Sequence, residues 1–268
     1  MLNTLLKQAR ERIDYLDAVL IMSYVLNRSK ISVMTARGDE TLSPDEAALF
    51  MAYVEERALN KPLAYITGKC EFMGLDFEVN EYTLIPRPDT ETAVEAALNL
   101  IKREGIKSIL DVCTGSGCIA VSLAALCPTK LEITASDINQ KALETAKRNA
   151  DRHGADISFI QSNLFASVDP SIYDMIIANP PYIPHDEIDA LPRSVKDYEP
   201  HEALDGGADG LSFYRIISEK AVNFIIYEIG YNQAMDVKNI LEQNSFRNIK
   251  IINDLAGHNR VITARRNG

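Results

Sequence analysis

Apolar residues recur at helical spacing through the first sixty positions. Leu2, Leu5, Leu6, Ala9 and Ile13 form one series, and Leu16, Val19, Leu20 and Tyr24 form a second. Ser43-Pro44-Asp45-Glu46 reads as a capping-box start with proline at the first helical position. The helix it opens is expected to run to about Asn60, with Ala47, Phe50, Val54 and Ala58 facing inward. The pattern then changes. Glu71-Phe72-Met73-Gly74-Leu75-Asp76-Phe77-Glu78-Val79 alternates apolar and polar residues around a glycine, as a hairpin does. Ile85-Pro86-Arg87-Pro88 follows as a stiff, extended connector.

From Asp89 onward helical and strand patterns alternate. Helices are expected over residues 89–103, 117–126, 139–153, 211–220 and 233–243. Strands are expected over residues 108–113, 131–136, 157–161, 173–178 and 224–229, with two more near 249–252 and 260–265. Seven strands with intervening helices predict a doubly wound, Rossmann-like α/β sheet. The short loop between the last two makes them antiparallel. The organisation read from this is a helical domain at 1–62, a hairpin linker at 63–85 and an α/β domain at 86–268. Residues 183–209 form an irregular stretch long enough to be a functional lid. Only Ala221, Val222 and Asn223 separate a helix from the next strand, so either a surface loop is lost there or the helix ends early.

Composition narrows the possibilities. The 268 residues are 46% hydrophobic and 25% charged, ordinary for a globular protein. No apolar run approaches the ~18 residues of a membrane span. The first residues turn charged too soon for a secretory signal, so a cytoplasmic location is expected. Cysteines 70, 113, 118 and 127 have neither zinc-site spacing nor a disulfide framework. The four histidines, at 153, 185, 201 and 258, show no ligand spacing, so no metal is expected. They read as surface or loop residues, His185 lying closest to the site described next. A net charge of −10 argues against broad binding of polyanions.

The chemistry lies in two strand ends. Tyr173-Asp174-Met175-Ile176-Ile177-Ala178 runs into Asn179-Pro180-Pro181-Tyr182. Neither proline donates an N–H, so this stiff turn presents acceptors at the sheet edge where open α/β sheets bind ligands. Two acceptors and an aromatic ring suit a planar –NH2. Upstream, Asp111-Val112-Cys113-Thr114-Gly115-Ser116-Gly117 is a strand entering a glycine-rich turn. It also fits the dinucleotide-binding pattern G-x-G-x-x-A. Asp137 ends the second strand 20 residues after Gly117, placed to accept from ribose hydroxyls. Asp111 supplies a carboxylate where a methionine ammonium could sit. With Asn-Pro-Pro-Tyr on the fourth strand, these features favour S-adenosylmethionine over a nicotinamide. The plainer alternative is that Asp111 and Asp137 cap turns and that Asn179 makes a local bond.

At this point the chain resembles the HemK/PrmC-type protein-(glutamine-N5) methyltransferases, which modify peptide chain release factors. The resemblance rests on residues 62–68 (PLAYITG), 84–91 (LIPRPDTE), 110–119, Asn179-Pro180-Pro181-Tyr182-Ile183, Tyr198-Glu199-Pro200, residues 203–207 (ALDGG) and Asp254-Leu255-Ala256-Gly257. It implies a class I S-adenosylmethionine-dependent methyltransferase sheet with a small N-terminal helical domain that recognises the substrate, the alternative being that this domain simply lids the larger one. Cys113, Thr114, Gly115, Ser116 and Gly117 would wrap the cofactor's methionine part beside Asp111. Asp137 and Ile138 would lie at its ribose, and Asn163 and Leu164 at its adenine. Asn179 and the Pro180 carbonyl would accept from the substrate glutamine amide, with Pro181 stiffening the turn and Tyr182 packed alongside. Arg87 and Glu199 would lie at the rim. The product would be S-adenosylhomocysteine, the partner a release factor, and the enzyme a monomer. Two departures stand out: the family often has glycine at 113 and an acidic residue at 163. Cys113 can still offer its backbone from an ordinary φ/ψ region, and Asn163 can accept through its carbonyl. Somewhat weaker or differently balanced cofactor binding is expected.

Two rivals remain at this stage. A methyltransferase acting on an adenine or guanine amino group would use the same acceptors, but must extrude a base and hold a polyanion, against the −10 charge. A non-catalytic cofactor-binding scaffold would have no need of an amide clamp. A dehydrogenase is a distant third.

Overall fold

The computed structural model of the chain describes residues 1–37, 40–221 and 223–266. Two compact units emerge, one of residues 1–69 with 192–198, the other of residues 70–191 with 199–268.

The first unit contains α1 (Leu2–Ala9), α2 (Tyr15–Val25), α3 (Lys30–Met34), α4 (Pro44–Ala58) and α5 (Leu63–Thr67). Polar caps start three of them: the Asp14 carboxylate accepts from Leu16 N–H, the Ser29 hydroxyl from Ser32 N–H, and Ser43 and Glu46 form the expected capping box. Leu2, Ala18, Val19, Ile21, Met22, Phe50 and Val54 make its core. Ala47 and Ala58 are only half-buried, and Leu16 and Tyr24 are exposed. Helix α2 is apolar on nearly every side, so spacing alone could not choose its inward face.

In the second unit, β1 (Lys69–Phe72) and β2 (Leu75–Glu78) form the hairpin, turning through Met73 and Gly74, both at positive φ. Then come α6 (Glu91–Glu104), β3 (Ser108–Val112), α7 (Cys118–Leu126), β4 (Glu132–Asp137), α8 (Gln140–His153), β5 (Ile157–Gln161) and β6 (Met175–Ala178). Residues 183–209 carry short helical turns, including α9 (Arg193–Lys196), which belongs to the first unit. The chain continues with α10 (Ser212–Lys220), β7 (Phe224–Glu228), α11 (Ala234–Gln243), β8 (Phe246–Asn253) and β9 (Asn259–Arg266). Helix α10 does not end early, and Val222 of its connection to β7 lies outside the described residues.

The strands assemble in the order β5-β4-β3-β6-β7-β9-β8. β3 through β7 are parallel, and β9 runs antiparallel to both of its neighbours. β3 and β6 are buried on both faces, which is why β6 reads as an unbroken apolar run and β3 as one interrupted only by Asp111 after Ser108. β8 starts at Phe246, earlier than expected, because a bulge between Arg247 and Lys250 interrupts its alternation. In register, Val112 lies beside both Ser136 and Ala178. The C-terminal ends of β4, β3 and β6 are therefore level.

Candidate active site

After β5 the chain returns to the other side of β3, so a crevice opens at the C-terminal ends of β3 and β6. A cavity of about 190 Å³ lies there. Arg87, Cys113, Thr114, Gly115, Ser116, Asp137, Ile138, Asn163, Leu164, Asn179 and Pro181 all line it. Asp111, Gly117, Pro180, Tyr182 and Glu199 do not, and each has another place.

Beyond Val112 the chain turns through Cys113 at φ +62°, Gly115 at +56° and Gly117 at +79°. The expectation of an ordinary φ/ψ region for Cys113 is thus overturned. Thr114 N–H donates to the Ser136 carbonyl at 3.0 Å, and the Thr114 hydroxyl donates to Asp111 Oδ2 at 2.6 Å. Reversing the chain within one residue to close both bonds requires the left-handed conformation, which costs a residue with a side chain about 1–2 kcal/mol. Burial pushes the Cys113 thiol well above its ordinary pKa, and Asp137 and Asp111 push it further. Gly117 caps α7, and a Cβ there would lie 3.0 Å from Ala146 Cβ, so the glycine lets α7 approach α8.

Asp111 is fully buried beneath this turn. Burial raises its pKa to about 7 against the Thr114 hydroxyl and the Ala120 N–H, and Asp137 raises it too. Its Oδ1 has no partner of full hydrogen-bond geometry. Asp137 accepts from Gly115 N–H through Oδ2 and from Asn139 N–H through Oδ1, each at 2.9 Å. Burial nonetheless lifts its pKa, and Glu202 adds to the effect. Past β5, Ser162 N–H donates to the Asp137 carbonyl at 2.9 Å, tying the segment that carries Asn163 and Leu164 to the end of β4.

These groups fit S-adenosylmethionine and discriminate against a dinucleotide. Asp137 and Glu202 are acidic lining residues, and Arg87, the lining cation, is paired to the buried carboxylate of Glu199. Burial is the main cause of both raised pKa values, and Asp137 adds repulsion to Asp111 as Glu202 does to Asp137. A sulfonium and an ammonium would relieve that repulsion, whereas a pyrophosphate would intensify it. Asp137 still has lone pairs for ribose hydroxyls after its two backbone bonds.

The Asn-Pro-Pro-Tyr segment leaves β6 across the same crevice. Asn179 Nδ2 donates to Thr90 Oγ1 at 3.4 Å. Pro180 is buried. The Tyr182 hydroxyl donates to Glu228 Oε1 at 3.3 Å, and its carbonyl accepts from Gln233 Nε2 at 2.8 Å. The loop at 205–210 lies directly against this segment. A Cβ on Gly206 would come within 2.7 Å of Tyr182 Cα, and one on Gly210, at φ +70°, within 2.3 Å of the Tyr182 carbonyl oxygen. Glu199 accepts from Ile85 N–H at 3.3 Å as well as from Arg87, joining the proline connector to this wall.

Sequence reasoning missed two members of the site. Thr90, 2% exposed, sits in a segment used for the resemblance but was given no role. Glu228, 1% exposed, is the carboxylate that ends β7 as Asp137 ends β4, and that signal could have found it. His185 lies outside the cavity lining, exposed and paired to Asp205 at 2.8 Å.

Comparison with known proteins agrees with this geometry. The PrmC N-terminal domain family matches residues 2–68, and the methyltransferase small domain family matches residues 89–194. A release factor glutamine methyltransferase of Clostridium acetobutylicum is 39% identical, over 99% of this chain and 96% of its own. Its counterpart in Geobacter sulfurreducens is 40% identical over 85% and 81%. Among solved structures, the catalytic domain of hMettl16 in complex with an RNA hairpin superposes with a TM-score of 0.58 at 15% identity, covering 91% of each chain. A methyltransferase from Pyrococcus furiosus gives 0.52 at 15% identity, covering 81% of this chain and 98% of its own. The structural likenesses establish a methyltransferase fold, and by its near full-length relatives the chain belongs to the release factor glutamine methyltransferase family.

Proposed function

We propose that this protein transfers a methyl group from S-adenosylmethionine to the side-chain amide N5 of the glutamine in the Gly-Gly-Gln motif of class I peptide chain release factors. The observation that carries the reading is Asn179. Its Nδ2 is committed to Thr90 while the side chain lines the cleft, which leaves Oδ1 to accept from a substrate –NH2.

The bound cofactor supplies a methyl group on a sulfonium, which departs as a neutral thioether. What the chain must add is position. The amide nitrogen is a poor nucleophile, so holding it in line with methyl and sulfur is the main contribution. Asn179 Oδ1 and the Pro180 carbonyl would take one amide hydrogen each. As fixed dipoles they also stabilise the positive charge that grows on nitrogen. The proton becomes acidic only after transfer, so no strong base is needed beforehand. The carboxyls of Asp111, buried, and Asp137, half-buried, favour a cationic ligand on the other side of the cleft. In this reading Asn163 and Leu164 border the adenine, and Tyr182 braces the acceptor turn from behind. Glu199 holds Arg87 at the rim, and the helical domain at 1–62 presents the release factor. The enzyme works as a monomer in the cytoplasm.

The test is transfer of labelled methyl from S-adenosylmethionine to a purified release factor, alongside the same factor with its Gly-Gly-Gln glutamine changed to alanine, and bulk RNA and DNA. Label on the intact factor alone, abolished by Asn179→Ala, is expected. Label on nucleic acid would replace this reading with a base-directed one. Cofactor binding without transfer to any of them would leave a scaffold.

A further inference from the structure

We propose that Thr90 and Glu228 are positioning residues that together dictate which end of the Asn179 amide faces the substrate. The inference rests on the functional reading above and deepens it.

An asparagine amide is nearly symmetric in shape and opposite in polarity at its two ends. Only the oxygen can accept from a glutamine –NH2; with Nδ2 in its place, two donors would meet. Some neighbour must therefore break the symmetry. Thr90 Oγ1 is the partner of Asn179 Nδ2, but a threonine hydroxyl can also donate, and a donating Thr90 would hold the amide the wrong way round. What directs the Thr90 hydrogen elsewhere is Glu228. This carboxyl is buried, it accepts from the Tyr182 hydroxyl through Oε1, and its Oε2 lacks a partner of full geometry. Thr90 is the side chain that does most to favour the ionised form of this carboxyl against burial, so its hydroxyl faces the Glu228 carboxylate. With its hydrogen given to Glu228, Thr90 can only accept from Asn179. The order of donors is thus Asn179 to Thr90 to Glu228, and Oδ1 is left facing the cleft.

The order depends on Glu228 being an acceptor. Burial raises its pKa to about 7. The groups facing it are Thr90 and Asp89 before α6, Tyr182 after β6 and Arg260 on β9. Thr90, Arg260 and Tyr182 lower the pKa, and Asp89 raises it. The Tyr214 hydroxyl of α10 donates to the Glu228 carbonyl at 2.9 Å rather than to the carboxyl. A protonated Glu228 can donate to Thr90, which then turns its hydrogen toward Asn179. Turnover should therefore fall as pH drops through about 7.

The test uses the full-length enzyme and an intact release factor with Thr90→Val, Thr90→Ser and Glu228→Gln. Thr90→Val should lower kcat about 10- to 100-fold while the Kd for S-adenosylmethionine and the KM for the factor stay within about threefold. Thr90→Ser should recover most of kcat. Glu228→Gln should lower kcat and flatten its pH profile around neutrality. If Thr90→Val does not fold, Thr90→Ala removes the same hydroxyl and carries the same expectation. The proposal is overturned by a Thr90→Val enzyme with unchanged kcat, or by Thr90→Ser impaired as much as Thr90→Val. A loss confined to cofactor Kd, or a Glu228→Gln enzyme with the parental pH profile, would overturn it too. A parent enzyme that fails to label the factor refutes the functional reading instead, so the two failures are separable.

Discussion

On the side of the cleft between β3 and β4, many of the groups that shape the pocket are backbone: the Gly115 N–H on Asp137, the Thr114 N–H on the Ser136 carbonyl, and the left-handed conformations of Cys113, Gly115 and Gly117. On the side between β6 and β7 they are side-chain ends linked to one another: Asn179 to Thr90 and Tyr182 to Glu228. A wall of backbone tolerates exchange of side chains that keep its dihedrals. A wall of linked polar tips is sensitive to single atoms, because removing one leaves its buried partner unsatisfied. This explains how the glycine turn can carry a cysteine at 113 while Asn179, Thr90 and Glu228 form an interdependent set.

Substitutions can break that contrast or sharpen it. The largest effect is expected from Asn179→Ala, which should cut kcat by about 10²–10³ in steady-state assays, with cofactor Kd little changed by calorimetry. An equal loss in cofactor affinity would erase the distinction between the two walls. Gly210→Ala comes next. Its Cβ would sit 2.3 Å from the Tyr182 carbonyl oxygen, so denaturant unfolding should register about 3 kcal/mol of lost stability along with lost turnover.

Asp111→Asn tests the other wall through pH. Burial raises the Asp111 pKa to about 7 in the fold from an ordinary 3.8, so folding takes up a proton between those values. Its stabilising contribution is complete below 3.8 and is lost as pH rises through 7. In the cofactor-free protein, Asp111→Asn should therefore equal the parent near pH 4 and exceed it in stability above pH 7, by on the order of 3 kcal/mol. Urea titrations at the two pH values would read this. Cys113→Gly has the smallest expected effect. Relief of left-handed strain, partly offset by glycine's extra freedom in the unfolded chain, should stabilise the protein by about 0.5 kcal/mol, with kcat within about twofold. A large loss of cofactor binding would instead mean that the thiol itself makes part of the site.

How much of this could be read from the sequence followed from how local each determinant is. β6 was readable because a strand buried on both faces is a continuous apolar run, β3 because its apolar residues lead into a glycine-rich turn, and α4 because Ser43, Pro44 and Glu46 mark its start within four residues. The inward face of α2 was not, since an almost wholly apolar helix offers no contrast. Helix α5 is a five-residue element too short to show a period. Within the site, the glycine turn, Asp137 and Asn179 announce themselves at strand ends. The conformation of Cys113 does not, because it is imposed by the bonds that its neighbour Thr114 makes to Ser136 and Asp111. Thr90 and Glu228 acquire meaning only when distant segments are brought together around Asn179, and no pattern along the chain records that meeting.

The Cys113 thiol has a practical consequence. It lines the cleft, which would recommend it as an anchor for an electrophilic inhibitor. Yet attack on an electrophile requires the thiolate, and burial beside two carboxyls keeps this sulfur protonated at neutral pH. Iodoacetamide or an acrylamide warhead should therefore react with it far more slowly than with a solvent-exposed thiol. Selective inhibitors of this enzyme are better sought among reversible compounds that carry a positive charge beside Asp137, which lines the cleft.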